Sequence, residues 1–147
     1  MNDFVIKSSA FEKDKQIPSK FTCDGENVNP PLTVENIPEN AKSLAIIVED
    51  PDAPAGLFIH WVVWNIPPAA EIKENTAWGA AGLNGAKKRG YFGPCPPSGT
   101  HRYFFKVYAL DKALNLGSFS EKEDLENAMQ GHVLAQGELM GLYHRVR

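Results

Sequence analysis

Ser43-Leu44-Ala45-Ile46-Ile47-Val48-Glu49-Asp50-Pro51-Asp52-Ala53-Pro54 decides the fold of this 147-residue chain. Residues 43–49 are apolar almost throughout rather than alternating, the pattern of a strand covered on both faces. Residues 61–66, Trp-Val-Val-Trp-Asn-Ile, repeat that pattern. Between the two runs lie Asp50-Pro51-Asp52-Ala53-Pro54 and then His60, so two carboxylates and a histidine sit at the ends of adjacent predicted strands. A carboxylate buried in a core is costly, so Asp50 and Asp52 at strand ends point to hydrogen bonding or to a site. Asp-Pro pairs also cap turns, and Asp52 suits that role equally well.

Working outward, further short segments rich in β-branched and aromatic residues are fenced by Pro, Gly, Asn or Asp. They fall at 4–7, 21–23, 32–34 and 103–110, with a closing, glycine-interrupted strand at 137–143. The spacing predicts an antiparallel β-sandwich with Greek-key-like order and few peripheral helices. One helix is expected, opened by a capping box of Ser120 and Glu123, with Leu125, Ala128 and Met129 recurring at helical spacing until Gly131. Residues 69–85 are weakly patterned and read as a long loop with one helical turn. Gly79, Gly82 and Gly85 lack the strand-turn-helix frame of a dinucleotide fingerprint.

The second informative stretch is Gly90-Tyr91-Phe92-Gly93-Pro94-Cys95-Pro96-Pro97-Ser98-Gly99-Thr100-His101-Arg102-Tyr103. It is too rich in proline and glycine to continue a helix or a central strand. It ends in His-Arg-Tyr, three side chains able to bind an anion or move a proton, immediately before an apolar strand. A stiff loop that brings polar groups to the lip of a sheet is a common way to build a small-ligand pocket.

Composition narrows the function classes. The length fits one domain, 1–147, and the net charge of −3 argues against nucleic-acid binding. Lys87-Lys88-Arg89 is the one basic cluster, placed just before the glycine-proline loop. No apolar run reaches membrane-spanning length, and Met1 to Lys7 lacks the basic start and apolar core of a signal peptide, so the chain reads as cytoplasmic. Two cysteines are too few for a disulfide scaffold. In a reducing cytosol Cys23 and Cys95 are expected as thiols; oxidised, they would close a 72-residue span.

These motifs resemble the phosphatidylethanolamine-binding protein family, also called Raf kinase inhibitor-like proteins. The resemblance rests on the Asp50–Pro54 segment, His60-Trp61 and Gly90 through Tyr103. Phe21-Thr22-Cys23-Asp24-Gly25-Glu26-Asn27-Val28-Asn29-Pro30-Pro31-Leu32, Trp64-Asn65-Ile66-Pro67 and Gly131-His132-Val133-Leu134-Ala135 are similar to its short bacterial and archaeal branch. It implies a small anion pocket formed by Asp50, His60, His101 and Tyr103 with backbone from Gly93 and Pro96. Asp52, Phe58, Cys95 and Arg102 would form the rim. Chemically, two histidines and a phenol supply the donors and positive charge that a phosphate group needs, and an aspartate can orient one imidazole.

The implied function is non-enzymatic binding of phosphate or a phosphorylated head-group, modulating a protein kinase or serine protease by contact, with no cofactor. A homodimer is compatible with it. The competing reading is a hydrolase or metal-dependent enzyme built from Asp50, Asp52, His60, His101 and the thiols. It lacks a GxSxG, HExxH or CxxC motif, and the Asp/His positions have no recognised metal spacing. His132 and His144 fall outside the motifs. Three departures from the family pattern imply a more open mouth: a short 55–59 connection, Phe58 where tryptophan is usual, and an end soon after Tyr143, where eukaryotic members add a helix. The tight turn also implies a cis peptide at Ala53-Pro54.

Overall fold

The structure is a computed structural model that describes residues 3–76 and 79–145. Its elements in chain order are β1 (Val5–Lys7), a 3-10 turn (Ser19–Phe21), β2 (Leu32–Glu35), β3 (Ser43–Asp50) and β4 (Phe58–Ile66). There follow β5 (Glu71–Ile72), β6 (Ala80–Ala81), β7 (His101–Leu110), α1 (Lys122–Met129) and β8 (Val133–Tyr143). All strand pairings within the sheets are antiparallel. One sheet has the order β1-β2-β5 and the other β6-β4-β3-β7-β8. The protein is therefore a mainly β, two-sheet sandwich.

β3 is central in the larger sheet, and all of its residues are buried. Side chains alternate across a strand, so its two faces feed two cores. Leu44, Ile46 and Val48 pack between the sheets with Ile6, Val34, Ile72, Phe105 and Leu139. Ala45 and Ile47 join Val62, Trp64, Leu110, Leu125 and Met129 beneath α1. The continuous apolar run at 43–49 is explained by this double cover.

Several local expectations are corrected. The segment 21–23 is no strand: Ser19–Phe21 forms a 3-10 turn, and Thr22 bonds back through N–H and Oγ1 to the Ser19 carbonyl. Residues 69–85, of which 77–78 lie outside the described residues, form two short edge strands instead of a helical turn. The capping box sits one residue later than expected, on Glu121 and Asp124. Ser120 is held in the preceding turn, its N–H on Gly117 and its carbonyl accepting from Leu83. The peptide at Ala53-Pro54 is trans. Pro54 follows Ala53 in a turn closed by the Gly56 N–H on the Ala53 carbonyl at 3.0 Å. Proline at that second position suits a trans bond, whereas a cis proline belongs one place later.

Cys23 and Cys95 form a disulfide, contrary to the expected thiols. Their two loops are already zipped together by Cys23 N–H to Pro94 O, Gly93 N–H to Asn27 Oδ1 and Tyr91 OH to Phe21 O. That zipper brings the sulfurs within bonding reach. Closing the 72-residue span stabilises the fold by about 4 kcal/mol in the chain-entropy account.

The outer edge of β8 is strapped by the N-terminal segment. Asp14 N–H donates to Met140 O, Leu142 N–H to Lys15 O, and Ile17 N–H to Leu142 O. No helix among the described residues is long and apolar enough to cross a membrane.

β3 ends in two buried carboxylates that point to opposite faces, Glu49 at 4% and Asp50 at 3% exposure. Glu49 lies between Lys106 (2.5 Å) and Lys122 of α1 (3.0 Å). Burial opposes its ionisation, but the hydrogen bonds and charges of the two lysines outweigh this and hold its carboxyl below the usual range. Its contribution is thus present above the ordinary glutamate pKa and is lost as pH falls through the depressed folded value. Glu49→Ala is expected to lower unfolding stability by about 3 kcal/mol, the low end for breaking a buried pair because both lysines can reach water. Urea denaturation at neutral pH measures it, and the loss should shrink as the pH is lowered below about 4.5.

Candidate functional site

The site forms where β3, β4 and β7 end together. β3 and β7 pair in a regular register that runs from Ser43 opposite Leu110 to Glu49 opposite Phe104. Continued one step, it sets Asp50 level with Tyr103, and Asp50 also pairs with Phe58 of β4. His101 lies two residues from Tyr103 on the same face.

His60 arrives there by an irregularity. Val48 pairs with Trp61 and Glu49 with Ile59, so His60 is the extra residue of a β-bulge. In a regular strand His60 and Trp61 would point to opposite faces. The bulge turns both toward the inner face: Trp61 enters the core between the sheets, and His60 meets Tyr103 with ring centroids 5.2 Å apart. Phe58 packs edge-on against His60 at 4.8 Å.

Both imidazoles are anchored through Nδ1. His101 Nδ1–H donates to Asp50 Oδ2 at 2.7 Å, and His60 Nδ1–H donates to the Phe92 carbonyl at 2.5 Å. A carboxylate and a carbonyl can only accept, so each Nδ1 carries a proton and the second nitrogen, Nε2, is the variable one. Within the described residues neither Nε2 has a hydrogen-bond partner. The other Asp50 oxygen accepts the Asp52 N–H at 2.7 Å. The Phe92 N–H returns to the His60 carbonyl at 2.9 Å, so His60 and Phe92 clasp each other in both directions.

Tyr103 is fully buried, and its hydroxyl is a buried polar atom with no hydrogen bond of regular geometry. Burial and the nearby Asp50 charge push its phenol strongly upward, so it keeps its proton. Burial also pushes the His60 imidazole below the usual histidine range, against the opposing pull of the Phe92 carbonyl and the Asp50 charge. The site at rest therefore presents a neutral His60, a phenolic donor and an Asp-oriented His101. The phenol is a donor already, whereas the free Nε2 of neutral His60 becomes one only when that ring takes up a proton.

The remaining rim residues are placed as follows. Asp52 and Arg102 are paired with each other through three contacts of 2.9 Å, one from the Arg102 backbone. The Arg102 hydrogen bonds hold the Asp52 carboxyl down at about 2. The pair works as a clasp between the 50–56 turn and the start of β7. Cys95 is in the disulfide, and Pro96 is buried beside it. The Gly93 N–H is taken by Asn27 Oδ1 at 2.8 Å, and a Cβ there would strike that same oxygen. Gly93 thus positions the loop by allowing a close approach. Phe58 lies against Gly85 and Phe92.

The basic cluster is engaged elsewhere: Lys87 pairs with Glu121, and Arg89 donates to the Ala81 carbonyl. His132 pairs with Asp111 at 2.9 Å. Sequence reasoning missed Phe92 as the acceptor for His60, and Asn27 as the anchor of Gly93. The one signal for either was membership in a motif. A hollow of about 590 Å³ beside β1 and Glu138–Met140 is lined by none of the residues of this corner.

A family model described as phosphatidylethanolamine-binding protein matches residues 7–144. A UPF0098 protein of Pyrococcus abyssi is 51% identical, covering 97% of this chain and 86% of its own. Another from Methanothermobacter thermautotrophicus is 49% identical over 95% of this chain and 98% of its own. Among solved structures, that of a putative phosphatidylethanolamine-binding protein homologue from Chlamydia trachomatis superposes with a TM-score of 0.95. Its identity is 42%, with 99% of this chain and 100% of that chain covered. An Escherichia coli protein described as a new member of the mammalian family gives 0.89 at 29% identity, over 99% and 100% of the two chains.

The poorly bonded phenol yields a direct test. A buried hydroxyl held only by an irregular contact, as Tyr103 is by Asp50, recovers little of a desolvation cost of about 1–3 kcal/mol. Tyr103→Phe is therefore expected to raise the stability of the unliganded protein by about 1 kcal/mol, read as a higher melting temperature by calorimetry. A lower melting temperature would show that the hydroxyl is satisfied.

Proposed function

The chain belongs to the phosphatidylethanolamine-binding protein family, and from that premise we propose that it binds a small phosphate-type anion without transforming it. The ligand is a free phosphate or a phosphorylated head-group. One observation carries this reading: His60 Nε2, His101 Nε2 and Tyr103 OH gather at one corner, the two ring nitrogens without a partner among the described residues and the hydroxyl with only an irregular contact to Asp50. An oxyanion with several lone pairs satisfies all three at once.

Asp50 acts through His101. Its carboxylate accepts from Nδ1 and fixes the ring, so that Nε2 can face the ligand. His60 is the group that changes. Neutral at rest because it is buried, it takes up a proton when the anion arrives, since the anion favours the charged ring. Family resemblance supports extending this to a cytoplasmic protein that modulates a kinase or serine protease by contact, with the anion-filled corner at the contact surface.

The hydrolase reading shares the Asp50–His101 pair. It needs a nucleophile, and the two thiols that could have served are joined to each other. Zinc bound stoichiometrically to the purified protein would favour that alternative.

Linkage fixes the sign of the pH dependence. A ligand that prefers protonated His60 binds best below the free-site pKa, and affinity falls by up to tenfold per pH unit above it. Isothermal titration with inorganic phosphate is therefore expected to give tighter binding at pH 6 than at pH 8. The measured heat should vary with the buffer's ionisation enthalpy, reporting proton uptake. Both rings are buried, so alanine would leave voids. His101→Asn keeps a donor toward Asp50 while removing Nε2, and should weaken phosphate about 10–100-fold, the value of a hydrogen bond to a charged group. Unchanged binding in His101→Asn, or equal affinity at both pH values, would refute the proposal.

A further inference from the structure

The Cys23–Cys95 disulfide lies at the border of the anion corner, and both cysteines are partly exposed. It joins the loop that ends in His101 to the turn that follows the 3-10 segment. Along that loop the ties to the neighbouring turn come in close order: Tyr91 OH to Phe21, Gly93 N–H to Asn27, and Pro94 O from Cys23, with the sulfurs last. Phe92, whose carbonyl holds the His60 ring, stands in the middle of that series. Beyond Cys95, the arm through Pro96, Ser98, Gly99 and Thr100 leads to His101 and its bond to Asp50. Pro97 through Thr100 is exposed. The disulfide is the covalent fixed point between the two imidazole anchors.

We propose that this disulfide is a redox control on the anion site, with a cellular dithiol as its reductant; the inference rests on the anion-binding reading given above. In the step, a thiolate of the dithiol attacks one cysteine sulfur and forms a mixed disulfide, releasing the other cysteine as a thiolate. The second thiol of the reductant then displaces the first cysteine. Two electrons and two protons pass from the dithiol to Cys23 and Cys95, and the reductant leaves as its own disulfide. Both cysteines are partly exposed, which suits an exchange on the folded protein.

Opening the bond releases the arm that runs from Cys95 to His101 at its fixed end, while the ties on either side of Phe92 stay in place. The noncovalent zipper and the two cores remain, so the fold persists. Phosphate, held between the imidazoles, favours the closed arm. Coupling is reciprocal: if oxidation tightens phosphate by some factor, phosphate must favour the disulfide by the same factor.

The test uses the full chain. Phosphate affinity is measured by isothermal titration for the oxidised protein, for the protein reduced with dithiothreitol, and for the Cys23→Ser/Cys95→Ser variant, with circular dichroism recorded on each. The expected result is affinity lower by about fivefold or more in both reduced forms, with the β spectrum retained. In parallel, saturating phosphate should shift the equilibrium between dithiol and disulfide, set by a dithiothreitol series on the native protein, toward the disulfide by the same factor. That second measurement stands even if the serine variant fails to fold. Tight phosphate binding that is equal in oxidised and folded reduced protein overturns the redox inference alone. No phosphate binding to the oxidised protein overturns it together with the anion reading.

Discussion

A strand buried on both faces cannot end in two carboxylates unless each is met by something specific. β3 is such a strand, closing on Glu49 and Asp50 with both side chains shut from water. Much of the larger sheet follows from how these two demands are answered. On the outer face Lys106 and Lys122 answer Glu49, which fixes the start of α1 against the sheet. On the inner face His101 and the backbone of Asp52 answer Asp50, which fixes where β7 begins and how the 50–56 turn folds. The structural ion pair and the candidate site are two solutions of one electrostatic problem, one residue apart.

The two solutions differ in what they leave over. Lysines are flexible point charges that can neutralise Glu49 and still reach solvent, so that face is answered by charge even though Glu49 Oε1 has no hydrogen bond of regular geometry. An imidazole is rigid and bifunctional. Once its Nδ1 is tied to Asp50, its Nε2 must look elsewhere, and the neighbouring bulge and loop supply a second ring in the same state. With the Tyr103 hydroxyl held only by an irregular contact to Asp50, the inner corner carries stored capacity for hydrogen bonding. Function is read from that surplus.

The sequence made the central strands legible because their residues depend mainly on cover: a run apolar on both faces at 43–49 or 61–66 has few other homes. Asp50, His60, His101 and Tyr103 were picked out by their places at strand ends and by motif. What stayed hidden depends on partners far along the chain. β5 and β6 are each two residues long and exist because β2 and β4 offer them an edge. The bulge that turns His60 inward is a mismatch between two strands, so no single strand's pattern reveals it. Asn27 meets Gly93 across 66 residues. The disulfide was misjudged because compartment was weighed and the loop zipper could not be seen. In the capping box, Ser120 and Glu123 were as plausible as Glu121 and Asp124 until the contact from Leu83 fixed Ser120 in a turn.

The strap along β8 has a consequence for the life of the chain before it is folded. The larger sheet would otherwise end in an eleven-residue edge, a long row of backbone donors and acceptors on which another molecule could add a strand. Residues 14–17 occupy the part of that edge around Met140 and Leu142, so the first segment of the chain seals what the last strand would leave open. During synthesis the sealing segment emerges long before the edge it covers. The exposed edge then exists as soon as β8 pairs with β7, and it is closed from within the same molecule at high effective concentration. Around Met140 and Leu142 the edge is therefore covered by the chain itself, which removes that stretch as a template for a foreign strand.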